Sequence, residues 1–203
     1  MATVTKTKFG PADHGAELNY DEFVSADYES GFEYELINGR LYVSPAPDWP
    51  ENYLETWLRN RLQSYSNAHG DVINYVAARA RVFITGRPET TCPEPDIAAY
   101  SDAPLELPTR EVKWQDLSPI LVVEVMTGDV WKDLRRNVEL YLEAESIREY
   151  WVVDARRNPD EPMLIQHRRR GSRWVVRKYP FGSTFTTKLL PGFKFVIDPR
   201  RNP

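Results

Sequence analysis

Thiol and imidazole chemistry have little to work with in this sequence. Cys92 is the single cysteine among 203 residues, so no intrachain disulfide can form and no thiolate cluster can hold zinc. The three histidines, His14, His69 and His167, stand far apart without H-x-x-x-H spacing, which disfavours a paired-imidazole metal site. No apolar run approaches the roughly 20 residues that a membrane helix needs, and the polar stretch 1–10 lacks the apolar core of a secretory signal. These absences predict a soluble, cytoplasmic protein with no membrane partner. Missing too are a G-x-x-x-x-G-K phosphate loop, a serine nucleophile elbow and a cysteine–histidine pair in a recognisable context. ATP dependence and acyl transfer therefore lose support.

A hydrophobic share of 41% with 12% aromatic residues sits well away from a disordered composition and supplies a real core. Residues 1–17 have little periodicity and read as an N-terminal arm, leaving 18–203 as one domain. The net charge of −4 argues against coating nucleic acid through bulk positive charge, though not against a locally basic cleft.

Periodicity gives a mixed order of elements. A short helix is expected over 18–26. The strongest hairpin signal is Asn38-Gly39 between the strands 32–37 and 40–44, with Glu33 and Glu35 on one strand face. Glu35 fits both a solvated edge and a residue aimed at a site. Leu54, Trp57, Leu58, Leu62 and Tyr65 recur at helical spacing within 51–68, and Gly70 is placed to end that helix. Strands are expected at 72–76 and 80–84. Arg79 and Arg81 on the second fit a phosphate-facing edge as well as an ordinary polar face. A second helix spans 131–145, with Asp129 as its cap, followed by a strand over 149–153. Short antiparallel strands are then expected at 163–167, 173–179 and 184–189, with an edge segment at 193–197.

Residues 119–126 form a continuous apolar run that reads as a buried central strand, interrupted by one carboxylate, Glu124. A charge there needs a hydrogen bond, a cation or a metal. The partner favoured by the pattern is Asp96, 28 positions upstream in Pro93-Glu94-Pro95-Asp96, where two prolines hold the chain extended before a short strand. On adjacent strand ends the two carboxylates, with the carbonyl of Val125, suit one hard divalent cation such as Mg²⁺. A turn hydrogen bond for Asp96 and an arginine partner for Glu124 fit the same spacing.

Tyr34-Glu35-Leu36-Ile37-Asn38-Gly39, Pro95-Asp96-Ile97, 121–125, Asp133 through Tyr141 and 149–154 together resemble the bacterial Uma-two family of restriction-endonuclease-like proteins, within the PD-(D/E)xK nuclease superfamily. The resemblance implies an α/β (α+β mixed) fold: a mixed central sheet flanked by helices, with additional C-terminal antiparallel strands. It implies Asp96 and Glu124 as Mg²⁺ ligands, with Mn²⁺ as a substitute, Glu35 beside them, DNA as the partner and a homodimer as the assembly.

Two positions depart from the pattern. Met126 stands where the simple motif has lysine, and Asn137 stands where the family carries lysine four residues after the aspartate matched by Asp133. A neutral amide orients water or phosphate but supplies no cationic field. Lys132 is the first substitute and Arg136 the second. The main expectation is a Mg²⁺-dependent DNA endonuclease using Glu35, Asp96, Glu124, Lys132 and Asn137. The alternative is a nuclease-derived DNA-binding or structural protein with weakened or lost catalysis. The run Arg168-Arg169-Arg170, with Arg173 and Arg177, fits both a DNA-backbone contact and a solvated hairpin tip.

Overall fold

The computed structural model describes residues 8–128 and 130–201. The chain runs β1 (Lys8–Phe9), α1 (Tyr20–Ser25), β2 (Asp27–Tyr28), β3 (Phe32–Ile37), β4 (Arg40–Pro45) and α2 (Trp49–Ala68). It continues through β5 (Tyr75–Ala78), β6 (Ile97–Tyr100), β7 (Leu121–Met126), α3 (Asn137–Glu143) and β8 (Glu149–Asp154). The last strands are β9 (Met163–Arg170), β10 (Arg173–Tyr179), β11 (Thr184–Thr186) and β12 (Lys194–Val196). A π-helical turn, Lys132–Arg136, leads directly into α3.

Six strands form the central sheet in the order β10-β9-β8-β7-β6-β5. All six residues of β7 are buried, Glu124 among them, as a mainly apolar strand covered on both faces requires. β7 and β8 pair in parallel, while every other neighbouring pair in this sheet is antiparallel. A parallel pair needs a long crossover, and the helical segment ending in α3 supplies it. One sheet face carries Leu121, Val123 and Val125 against Leu54, Trp57, Leu58 and Leu62 of α2. The other carries Val122 and Met126 against Leu140 and Tyr141 of α3. Each fully buried leucine of α2 contributes about 2 kcal/mol of apolar burial. This is a mixed α/β architecture with a central mixed sheet, flanking helices and added C-terminal antiparallel strands.

Local chemistry sets the boundaries. Asn38 and Gly39 both adopt positive φ, 53° and 70°, which the tight turn between β3 and β4 demands. Asp48 caps α2 by accepting the Glu51 N–H at 3.1 Å. The helix ends at Ala68, as expected, with His69 leaving helical geometry at φ −137° just ahead of Gly70. The expected cap Asp129 lies outside the described residues, as do residues 1–7 of the expected arm. From Gly15 to Leu18 the chain is hydrogen-bonded to Gly39 and Leu41 at the edge of the hairpin.

The stretch 80–84 is not a strand. Val82 N–H donates to Pro93 and Ile84 N–H to Thr91, yet prolines 93 and 95 have no N–H to return, so no ladder can propagate. The strand expected at 72–76 starts late for a related reason: Val72 and Ile73 are folded back in a turn onto the His69 carbonyl. The C-terminal segment 193–197 pairs with β11 rather than joining the main sheet.

Candidate functional site

Register brings the two acids together. Ile97 pairs with Val123 in the antiparallel β6–β7 ladder, so one further step sets Asp96 across from Glu124. Both line one cavity of about 300 Å³, with Val125, Glu51, Lys132 and Asp133. Asp96 Oδ2 accepts the Val125 N–H at 2.6 Å. In an extended strand a residue's N–H and C=O lie on the same edge, so the Val125 carbonyl shares the Asp96 side.

Glu124 is 1% exposed. Its Oε1 accepts hydrogen bonds from Asn137 Nδ2 and from Tyr141 OH, each at 2.8 Å. Burial pushes its pKa well above the usual carboxylate range; Lys132 works against that rise, and Asp96 and Asp133 add to it. Burial likewise raises Asp96, opposed by Lys132 and by the Val125 hydrogen bond.

Glu35 enters from β3. Its Oε2 meets Arg136 Nη2 at 2.8 Å and Lys132 Nζ at 3.7 Å, and its Oε1 accepts the Glu94 N–H at 3.2 Å. Burial alone would raise Glu35, but Lys132, then Arg136, hold it at about 2. Burial disfavours the Lys132 ammonium, yet Glu35, Glu124 and Asp96 together push its pKa above the ordinary lysine value. It is a fixed positive charge among the carboxylates.

Asp133 is the site feature that sequence pattern reached only as a family landmark. It is 5% exposed, and its Oδ1 has no hydrogen-bond partner. Burial, with Asp96 and Glu35 contributing, raises it to about 7 against the pull of Lys132. The π turn puts it there. Asn137 N–H closes onto the Lys132 carbonyl, five residues back, and the widened turn aims Asp133, Arg136 and Asn137 inward together, a device frequent at functional sites. No residue pattern announces such a turn. Glu51 was also missed: it follows the α2 cap, and its Oε2 accepts the Thr127 hydroxyl at 2.9 Å.

Arg79 and Arg81 are engaged in ion pairs. Arg79, at φ 52°, pairs with Glu33 and Glu55, and Arg81 pairs with Glu94.

The donors around the cavity are carboxylate and carbonyl oxygens. Glu35, Asp96, Glu124 and Asp133 are buried carboxylates facing two buried cations, Lys132 and Arg136. One Asp133 oxygen, Oδ1, has no hydrogen-bond partner. All donors are hard oxygens, as Mg²⁺ prefers. Among the described residues no three His, Cys, Asp or Glu side chains are gathered closely enough to cage a metal alone. Asp96 and Glu124, with the Val125 carbonyl beside them, are the oxygen donors that could share one cation with water.

The six-stranded mixed sheet with flanking helices and added C-terminal strands is a restriction-endonuclease-like architecture. The model of the Uma2 family, described as "Putative restriction endonuclease", matches residues 20–198. This chain belongs to that family and, through it, to the PD-(D/E)xK-like nucleases. Among solved structures it is similar to "a putative nuclease belonging to DUF820" from Anabaena variabilis, with TM-score 0.62 and 13% identity over 89% of this chain and 95% of that one. No curated protein matches it. Among the described residues no helix is long and apolar enough to cross a membrane.

Proposed function

We propose that this chain is a nuclease-derived DNA-binding protein whose phosphodiesterase centre is weakened rather than erased. The observation that carries the reading is the Asn137–Glu124 hydrogen bond: a neutral amide occupies the place of the family lysine and, with Tyr141, takes one oxygen of the ligand carboxylate. Asp96, Glu124 and the Val125 carbonyl would hold Mg²⁺, with Mn²⁺ as a substitute. Bound there, the ion supplies Lewis acidity toward a phosphate oxygen and a more acidic water. Lys132 provides the remaining cationic field, and Glu35 fixes Lys132 and Arg136 in place. Asn137 orients Glu124 but cannot donate positive charge to a developing oxyanion. With it goes a cytoplasmic dimer, for which β5 and β10, the outer strands of the central sheet among the described residues, offer pairing edges.

The test is cleavage of varied DNA forms with Mg²⁺ or Mn²⁺ by the natural chain and by Asn137→Lys. Asn137→Lys should raise the rate about 100-fold, the low end of what one positioned electrostatic donor supplies. Asp96→Ala and Glu124→Ala should abolish what cleavage there is. Cleavage unchanged in both alanine variants rules the site out. A second reading, a fully active Mg²⁺-dependent endonuclease, is supported by the Lys132 ammonium standing among the acids. Robust cleavage by the natural chain, lost in Lys132→Met and not increased by Asn137→Lys, would select it.

A further inference from the structure

The β9–β10 hairpin collects four arginines on one face of the sheet. Leu164 and Tyr179 lie in the core cluster that also holds Phe185 and the buried leucines of α2, and alternation from them carries Arg168, Arg170, Arg173 and Arg177 onto that same face. In the ladder Arg170 stands directly across from Arg173, Arg168 across from Val175, and Arg177 across from Gln166. Three of the four are exposed, and Arg168 is half-buried. Among the described residues none has an ion-pair partner. Arg177 lies over the Tyr179 ring at 4.9 Å. The acid registered with Arg168 is Glu149, and its oxygens are taken by Trp151 Nε1, Gln166 Nε2 and Thr187 Oγ1.

Like charges set directly across a ladder destabilise it, and a chain of net charge −4 has acids to spare for neutralising them. The hairpin keeps the repulsion instead. An anion lying along the strands would relieve it, and the planar guanidinium suits phosphate oxygens.

The face is also remote from the acid cavity. Glu124 pairs with Val152 and Val152 with Ile165. Arg170 lies five residues further along β9, roughly 17 Å, and on the opposite face from Glu124.

We propose that this arginine face is a second docking surface for the phosphate backbone of duplex DNA, separate from the cation site and indifferent to base sequence. It rests on the DNA reading above and adds a place where affinity, rather than chemistry, resides. It also turns the Asp96–Glu124 cavity into one end of a two-point contact, so bent or looped duplex should be gripped better than short straight duplex.

The test is fluorescence anisotropy with a labelled mixed-sequence duplex in chelator, titrated with salt, comparing the natural chain with Arg170→Ala/Arg173→Ala/Arg177→Ala. Log K against log salt should flatten by about three for three lost phosphate contacts. The variant should melt no lower than the natural chain and keep the same Mg²⁺-induced thermal shift, which separates lost docking from lost folding. An unchanged slope overturns this inference and leaves the DNA reading standing. A natural chain that ignores duplex but binds vesicles of anionic lipid overturns both. Normal duplex binding by the hairpin without cleavage in any variant removes the phosphodiesterase reading and keeps the docking surface.

Discussion

Glu35 Oε2 holds Arg136 at 2.8 Å while Lys132 approaches the same oxygen to 3.7 Å, so one buried carboxylate from β3 anchors two cations of the crossover helix. Its folded pKa, about 2, lies below its ordinary 4.5. The stability it contributes is therefore present above pH 4.5 and is lost as the pH falls toward 2. Glu35→Gln should remove that acid-side loss and cost about 3 kcal/mol at neutral pH, because two buried cations lose their shared counter-charge. Urea unfolding across pH 2–7 reads both effects; a variant as stable as the natural chain at pH 7 would show the ion pairs to be incidental.

Arg169 ends the helix that carries Asn137 and Tyr141. Its guanidinium donates to the carbonyls of Tyr141, Leu142, Ala144 and Ile147 at 2.6–3.0 Å, and Trp174 Nε1 donates to the Val138 carbonyl at 2.8 Å. Helix C-termini leave such carbonyls without partners, and a cation there also meets the negative end of the helix dipole. Arg169→Ala should cost about 2 kcal/mol, with faster amide exchange confined first to residues 140–147. Exchange that rises uniformly over the sheet would instead mean that the clasp has no local role.

Cys92 sits at zero exposure, and its N–H donates to the Leu36 carbonyl at 2.8 Å. Burial, with Glu94 and Glu35 contributing against Arg81, pushes its thiol up to about 12. At pH 8 a thiol-specific reagent should find no reactive cysteine in the native protein and one in urea. Prompt native labelling would mean that the β3 region opens readily and that Glu35 is held less firmly than its contacts suggest.

Elements governed by local chemistry were legible in the sequence. The Asn38-Gly39 turn, the apolar stripe of α2 and the apolar run of β7, broken only by Glu124, each declare themselves within a few residues. The acid pair was legible as well, because a carboxylate inside β7 advertises a buried charge. What escaped depends on other parts of the chain. The ladder at 80–84 fails because its facing segment holds Pro93 and Pro95. Asp133 becomes a buried orphan only through the π turn, whose extra residue has no sequence signature. The arginines at 79 and 81 looked available until Glu33, Glu55 and Glu94, distant in sequence, folded onto them.

Asp96 tests the charge balance of the cavity most directly. Burial raises its pKa above the ordinary 3.8, so in the cation-free protein it contributes least when ionised: stability is retained below pH 4 and falls as the pH rises through the folded pKa. Asp96→Asn keeps an acceptor for the Val125 N–H and removes one of four crowded carboxyl groups. At pH 8 in chelator it should therefore be more stable than the natural chain by about 1 kcal/mol, the scale of other function-for-stability exchanges. Mg²⁺ should raise the melting temperature of the natural chain and leave that of the variant unmoved, since the cation has lost a ligand. An equal Mg²⁺ shift in both proteins would remove Asp96 from the ligand set, and a variant less stable in chelator would mean that its charge is already neutralised by Lys132 and Arg79.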